Sequence, residues 1–161
     1  MNTKPSRHKP QPATTIPLPE KTTHYPEPFA QQVAGRKKRK LGDHFGLTHF
    51  GVNLTELAPG AVSALKHHHS HQDEFIYVLS GHPTLILGDD SYTLNPHDCY
   101  GFPANTGIAA QLINTTNEPA VLLEIGDRTP GDQVTYPDDD LQAVQQDDGQ
   151  WKFLHKDGQP Y

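Results

Sequence analysis

The feature that most constrains this chain is a succession of short β-type runs, separated by turn residues, from residue 47 onward. Phe50, Val52 and Leu54 alternate with small or polar residues, which is the two-residue period of a half-buried strand. The same reasoning predicts further strands over residues 61–67, 75–79, 84–87, 92–94, 100–102, 108–113 and 121–125. Many short strands at close spacing are typical of a sandwich, a barrel or a jelly roll, so we predict an all-β fold.

The N-terminal part of the chain differs from this pattern. Seven of the 15 prolines lie in residues 1–28, and proline fixes φ and lacks the N–H that a sheet ladder needs. We therefore predict a mobile Pro-rich arm over residues 1–22 and a single domain over residues 23–161. Tyr25 and Phe29 are different, because two aromatic rings separated by Pro-x-Pro can clip onto an apolar surface.

The C-terminal part, past Gly126, is polar and acidic until Trp151 and Phe153 return as a late apolar element. We expect this tail to pack on the outside of the barrel, with at most a turn or two of helix near residues 141–146. The two late aromatic residues also offer apolar surface, from which we expect a homodimer.

The formal charge of −6 and the pI near 5.9 argue against a general nucleic-acid or anionic-membrane binder. No apolar stretch approaches the ~20 residues of a membrane helix, and no secretory signal is evident at the N-terminus. The single cysteine, Cys99, excludes an intramolecular disulfide. A cytoplasmic location is the resulting expectation. The basic run at residues 36–40 has two interpretations: a phosphate-binding or address segment, or a solvated run at the edge of the barrel.

The stretch from Lys66 to Glu74 carries most of the chemical information. On a strand, residues two apart face the same side, so His67 and His69 project together while His68 points away. A turn after residue 70 brings Glu74 beside them at the start of the next strand. Two imidazoles and a carboxylate form a set that suits Fe(II), Mn, Ni, Zn or a similar divalent ion. A solvated polar loop and a buried hydrogen-bonded network without metal remain alternative interpretations.

The pattern His67-x-His69-x4-Glu74-x6-Gly81 resembles the first motif of the cupins, with Gly60 near its beginning. The second cupin motif is matched by Pro96, Asp98, Phe102-Pro103-Ala104 and Asn114. A little-characterised bacterial group of single-domain cupins resembles the chain over residues 24–161, notably at residues 35–39, 50–54, 73–79, 98–103 and 124–128. The resemblance implies a cupin double-stranded β-helix, that is, a jelly-roll barrel holding one divalent metal ion.

In this family a fourth ligand, a histidine, comes from the second motif. Counting back from Asn114 places Ala110 there, and a methyl group cannot bind a metal. Its neighbour Gln111 is a possible oxygen ligand, but strand alternation aims it outward if Ala110 faces inward. The resemblance therefore implies metal ligands His67, His69 and Glu74 and a vacated fourth place.

Two functions follow from these observations. The first is a metal-binding cupin that acts on or binds a small polar molecule, since cupin chemistries include dioxygenation, sugar isomerisation or epimerisation, decarboxylation and lyase reactions. The second is a non-catalytic ligand-binding cupin with a degraded metal site, which the alanine at 110 favours. Ordinary packing or exposure is expected for other candidate residues, namely Tyr77, Tyr92, His97 and Tyr100. Cys99 is expected to serve in packing.

Overall fold

The computed structural model describes residues 8–161 and shows a protein built almost entirely from short antiparallel strands. Two single-turn helices, α1 (Phe29–Gln32) and α2 (Leu41–His44), and a 3-10 turn at Ala13–Thr15 are the helical elements of this region. The strands are β1 (Arg36–Lys40), β2 (Phe50–Leu57), β3 (His68–His69), β4 (Glu74–Ser80), β5 (Thr84–Leu87), β6 (Asp90–Thr93), β7 (Cys99–Phe102), β8 (Ala110–Ile113), β9 (Ala120–Asp127), β10 (Gln133–Tyr136), β11 (Leu141–Gln145) and β12 (Trp151–Leu154). The predicted all-β jelly-roll class is confirmed.

A five-stranded sheet in the order β1-β2-β9-β4-β7 forms one wall of the barrel. Its strands bury alternate residues, as the two-residue period predicts: Leu57, Val78 and Leu122 have no exposed surface and point into the core. Opposite them, the three-stranded sheet β6-β5-β8 contributes the directly paired Leu85 and Leu112. One contiguous apolar core therefore lies between the two sheets.

Gly81 ends β4 at a point that only glycine tolerates. Its φ is +78°, and a Cβ at this position would lie 2.6 Å from the carbonyl oxygen of Pro119. The register between β4 and β9 also shifts next to it, between Val78 and Ser80. Gly81, the glycine of the first motif, thus lets the chain turn at the end of β4 while it packs closely against the start of β9.

One strand prediction and one helix prediction differ from the structure. Residues 61–67 form turns with isolated bridges, Val62 to Ile113 and His67 to Ala110, and the regular strand begins only at His68. The helical turn expected near residues 141–146 is wrong, because this segment is strand β11. Leu141 and Ala143 are buried while their neighbours are less so, which is the period of a strand.

The C-terminal tail was expected on the outside of the barrel, and this placement needs correction. Strands β10, β11 and β12 form a four-stranded sheet with β3, in the order β12-β11-β10-β3. Val134 of β10 pairs directly with His69. A second apolar cluster forms on this sheet around Leu65, Tyr136 and Leu141. The tail extends the barrel wall because β3 leaves a free edge that β10 can pair with.

Residues 1–7 of the predicted arm lie outside the described residues, and the remainder contacts the barrel at defined points. Ile16 is 2% exposed, and its carbonyl accepts a hydrogen bond from Arg39 Nη1 at 2.5 Å. Tyr25 packs against Tyr136 and Phe153, with ring centroids 5.8 and 5.7 Å apart. The aromatic clip at Tyr25 is therefore confirmed, whereas the buried Ile16 shows that the arm is not free along its whole described length.

No helix in the part of the chain that the structure describes has the length and apolar character needed to cross a membrane.

Candidate metal site

A cavity of about 890 Å³ opens on the inner face of the five-stranded sheet. Its lining comes from that sheet, from β8, from the tail strands β10–β12 and from residues 19–25 of the N-terminal segment. Aromatic side chains of the tail form an apolar side, and His67 and His69 form a polar side. The tail that was expected outside the barrel is thus a wall of this cavity.

His67, His69 and Glu74 converge in the cavity, as strand parity predicts. Glu74 is the first residue of β4, and its Oε2 lies 3.6 Å from His67 Nε2 and 3.5 Å from His69 Nε2. One ligand atom from each of the three side chains lies within 4.8 Å of the other two. His68 pairs with the exposed Thr135 and is outside this group.

The two imidazoles are oriented by hydrogen bonds at their far nitrogens. His67 Nδ1 lies 2.6 Å from the carbonyl oxygen of Leu65, and His69 Nδ1 lies 2.5 Å from Asp132 Oδ2. A carbonyl oxygen only accepts, so His67 Nδ1 carries a proton. The Nε2 atom faces Glu74, where it donates to the carboxylate when the ring is protonated and offers its lone pair to a metal ion when the ring is neutral. This arrangement, with a backbone carbonyl or a carboxylate behind each imidazole, is common behind metal-binding histidines.

Asp132 is the site residue that the sequence analysis missed. Its side chain is fully buried, and Oδ1 accepts hydrogen bonds from the backbone N–H of Ser70 at 3.1 Å and of His71 at 2.8 Å. Burial alone would raise the pKa of this carboxyl group, but the hydrogen bonds from His69 and His71 hold the pKa below its ordinary value. Asp132 is therefore an ionised group that fixes both the His69 ring and the turn after β3.

The electrostatics of the group favour a bound positive charge. Burial opposes ionisation of Glu74, yet the hydrogen bond from His67 and the charges of His67, His69 and Lys38 lower the pKa of Glu74 to about 2. Burial lowers the pKa of His69, but Asp132 and Glu74 outweigh it and the net shift is upward. Glu74 is thus a carboxylate at neutral pH, and the imidazoles beside it sit in a negative field.

These donors fit a divalent transition-metal ion. For metal–ligand bonds of about 2.1 Å and a tetrahedral angle, neighbouring donor atoms are expected about 3.4 Å apart. The Nε2–Oε2 separations of 3.5 and 3.6 Å are close to that value. Nitrogen and oxygen donors together suit Fe(II), Mn, Ni or Zn, and the donor set alone does not select among them.

The fourth place of the site is occupied by a methyl group. Ala110 lies directly opposite His67, and the two backbones exchange N–H···O bonds of 3.1 and 2.9 Å. Opposite residues of an antiparallel pair share a face, so the Ala110 side chain faces the site. The amide nitrogen of Gln111 donates to the carbonyl oxygen of Ala64 at 2.9 Å, which keeps that side chain engaged elsewhere.

The other predicted candidates lie away from the three ligands. Tyr77 Oη and His97 Nδ1 are 2.9 Å apart and neither residue lines the cavity. Tyr92 and Tyr100 are exposed, which agrees with their expected role on the surface. Cys99, expected to serve in packing, is instead exposed, because its side chain lies on the outer face of the edge strand β7.

The comparisons with known proteins agree on one family. The Cupin domain family model matches residues 53–126. A structure described as a sugar phosphate isomerase from a cupin superfamily, from Silicibacter pomeroyi, is 40% identical, with a TM-score of 0.81, over 86% of this chain and 88% of that one. A putative sugar phosphate isomerase from Acidithiobacillus ferrooxidans is 36% identical, with a TM-score of 0.68, over 74% and 76%.

A polyketide cyclase from Streptomyces resistomycificus is 19% identical, with a TM-score of 0.61, over 75% of this chain and 80% of that one, and it supports the fold alone. The comparison with curated proteins gave no match.

Proposed function

This chain belongs to the cupin superfamily, and from that premise we propose that it is a divalent-metal-dependent isomerase of a phosphorylated sugar. The observation that carries the proposal is the convergence of His67 Nε2, His69 Nε2 and the Glu74 carboxylate inside one large cavity. The two relatives described as sugar phosphate isomerases, at 40% and 36% identity, supply the substrate class.

In this proposal His67, His69 and Glu74 hold one divalent ion, and Leu65 and Asp132 keep the two imidazoles in position. The ion supplies Lewis acidity toward a carbonyl or hydroxyl oxygen of the bound sugar. Isomerisation of an aldose to a ketose moves a proton from C2 to C1, the former carbonyl carbon, and a second proton from the C2 hydroxyl to the C1 oxygen, so no atom is gained or lost. An oxygen polarised by the ion makes the hydrogen on C2 more acidic.

The cavity wall provides the rest of a sugar-binding site. Tyr136 is 4% exposed, and its ring centroid lies 5.7 Å from that of His67. The ring centroids of Trp151 and His69 are 6.5 Å apart. With Phe153 these rings make an apolar side on which the C–H face of a sugar can pack.

The proposal includes a setting for the protein. We place it in the cytoplasm as a homodimer that binds a small polar molecule. The net charge of −6 favours a protein that remains dissolved and binds neither nucleic acid nor anionic membranes.

The test combines metal analysis with an isomerisation assay. Untagged protein purified without added metal should carry close to one divalent ion per chain by elemental analysis. Aldose and ketose phosphates incubated with it in deuterated water should interconvert, with deuterium appearing at the exchanged carbon by NMR.

Variants of the three consecutive histidines, His67, His68 and His69, supply the control. His67→Ala and His69→Ala should lose both the ion and the activity, whereas His68→Ala should keep both because it lies on the other face of the strand. Equal loss in the His68 variant, or full activity without any ion, would contradict the proposal.

A second function, ligand binding without turnover, is favoured by one observation. Ala110 has no atom that can bind a metal, although the cupin resemblance implies a fourth metal ligand at this position. A protein that retains its ion and binds sugar phosphates, but leaves every tested aldose and ketose phosphate unchanged, would establish this second function.

A further inference from the structure

The N-terminal segment crosses the cavity between two anchored points. On one side the buried Ile16 is held by Arg39, and on the other the Tyr25 ring packs on Tyr136 and Phe153. Residues 21–25 and Pro19, between or at these anchors, line the cavity. We call residues 17–24 the strap. The strap carries Lys21 and His24 to the cavity, although neither residue belongs to the barrel.

Strand β1 brings further basic side chains to the same cavity. Lys38 pairs with the buried Thr55 and Lys40 pairs with Asn53, so both lie on the inner face of the sheet. Lys37 and Arg39 point to the opposite face by strand alternation. The basic run lies at the edge of the sheet, but it is not wholly solvated, since alternate residues of it line the cavity.

Most of the cationic groups around the cavity already have protein partners. Lys38 Nζ lies 2.7 Å from Glu124 Oε2, which also accepts a hydrogen bond of 2.6 Å from Thr55. Arg128 pairs with Asp43, and Arg36 donates to the carbonyl oxygen of Ser63. These three cations are consequently neutralised or committed to the fold.

Lys21, His24 and Lys40 are different. Within residues 8–161, no carboxylate oxygen lies within 4.0 Å of the ammonium group of Lys21 or Lys40. Burial lowers the pKa of His24, and the charges of Lys40, Lys21 and Arg36 lower it further. Carboxylates of the β11–β12 turn, Asp147 and Asp148, also line the cavity, but the charges that act on His24 come from basic groups. Three basic groups without an ion-pair partner among residues 8–161 thus lie where the strap and β1 meet.

The floor of the cavity beside Glu74 is open. Glu74 pairs with Gly126, which pairs with Gly51, so two glycines continue its row across the inner face of the sheet. A Cβ on Gly126 would lie 3.8 Å from Glu74 Cγ, and one on Gly51 would lie 3.6 Å from Arg128 Nη2. The absence of a side chain on Gly126 leaves space beside the carboxylate into which a short polar molecule can extend, whereas the Arg128 guanidinium lies over Gly51.

We infer that Lys21, His24 and Lys40 form a subsite for the phosphate group of the ligand, assembled between the strap and the inner face of β1. Two ammonium groups and an imidazole match the charge and the acceptor oxygens of a phosphate dianion. The inference rests on the proposed function, because it assigns the metal ligands to the sugar end of the molecule and the basic patch to the phosphate end.

The test measures binding of inorganic phosphate to the full chain by titration calorimetry, before and after removal of metal with a chelator. Phosphate should bind in both states, and Lys40→Gln should weaken this binding about tenfold or more, since a charged hydrogen bond is lost. Lys21→Gln and His24→Gln should weaken it as well, and Lys40→Arg should retain most of it. The matched control is Lys37→Gln, which removes a lysine from the outer face of the same strand.

Several outcomes would overturn the subsite. They are unchanged phosphate binding in Lys40→Gln, an equal loss in Lys37→Gln, phosphate binding that disappears with the metal, no phosphate binding at all, or tighter binding of acetate than of phosphate. Metal content measured on every variant keeps the two proposals separate. Lys40→Gln protein with a full metal complement but weak phosphate binding supports the subsite, whereas intact phosphate binding in a chain that never retains metal contradicts the proposed function alone.

Discussion

The side chain of Asp132 is fully buried and its two oxygens accept hydrogen bonds from the His69 ring and from the backbone after it. It is not itself a proposed metal ligand and acts through the His69 ring and the turn after β3. A neutral amide of the same shape would keep the packing but give up the charge that supports the imidazole. Asp132 therefore positions the proposed ligand His69 without itself binding the metal.

Asp132→Asn should lower the affinity for the metal by about 10–100-fold, the usual effect of losing such a supporting group. Chelator competition on the purified variant measures this change. Asp140→Asn is the matched control, because Asp140 holds His155 Nδ1 at 2.7 Å in a similar pair on the surface. Unchanged affinity in the Asp132 variant, or equal loss in both, would remove the positioning role.

Ala110→His should tighten metal binding, because position 110 faces the site directly opposite His67. The new imidazole would add a fourth protein donor, so the ion should withstand higher chelator concentrations and raise the melting temperature when bound. Gln111→Ala should change neither quantity, since its amide is bound to Ala64. The reverse pattern, with metal lost in the Gln111 variant and nothing gained at 110, would identify Gln111 as the fourth ligand.

At the scale of elements, the strands that the sequence predicts are those that are themselves rich in apolar residues. β4 is dense in β-branched and aromatic residues and β9 in aliphatic residues, and these patterns identify both strands without any tertiary information. β1 consists only of Lys and Arg, so its pairing with β2 depends on Glu56 and Glu124, carboxylates far along the chain. Charge complementarity between distant residues leaves no local signal.

The residues of the site likewise divide into those that the sequence predicts and those that it does not. His67, His69 and Glu74 lie within eight consecutive residues, so strand parity alone predicts that they converge. Asp132 is 63 residues from His69 and is flanked by no motif. Asp132 reaches the site only because β10, which follows it, pairs with β3. The tail sheet that contains this pairing could not be predicted, because the tail has an acidic and polar composition.

The N-terminal strap yields a prediction at the same scale, based on its anchor. Ile16→Ala removes most of a buried side chain and should cost about 2 kcal/mol of unfolding free energy. For a chain of this size the melting temperature should fall by about 4–8 °C. Leu18→Ala is the control, because Leu18 is 40% exposed two residues along. If both variants melt as the unmodified protein does, the segment through residue 16 is a free arm after all.

Within residues 8–161, the outer face of the five-stranded sheet carries a large surface of partly exposed apolar side chains. On its outer face, rows of apolar side chains run across three strands: Val52, Ile125 and Phe75 in one row, and Leu54, Leu123 and Tyr77 in the next. Phe75 is 38% exposed and Leu79 beside it 40%. Contiguous apolar surface of this kind marks an interaction site. Trp151 and Phe153, from which the sequence suggested a dimer, face the cavity instead.

A second copy of the chain is the occupant we expect on this surface, because a flat apolar sheet face can pack on its own copy about a two-fold axis. Light scattering at micromolar concentration should then give about twice the chain mass of 17.9 kDa. Leu123→Glu buries a charge at the centre of such an interface and should shift the mass to that of one chain, while metal content stays unchanged because the substitution lies on the outer face. Thr93→Glu, which adds the same charge at an exposed position of β6, should leave the dimer intact. A mass near 17.9 kDa for the unmodified protein would exclude the dimer, and a dimer that survives Leu123→Glu would place the interface on another surface.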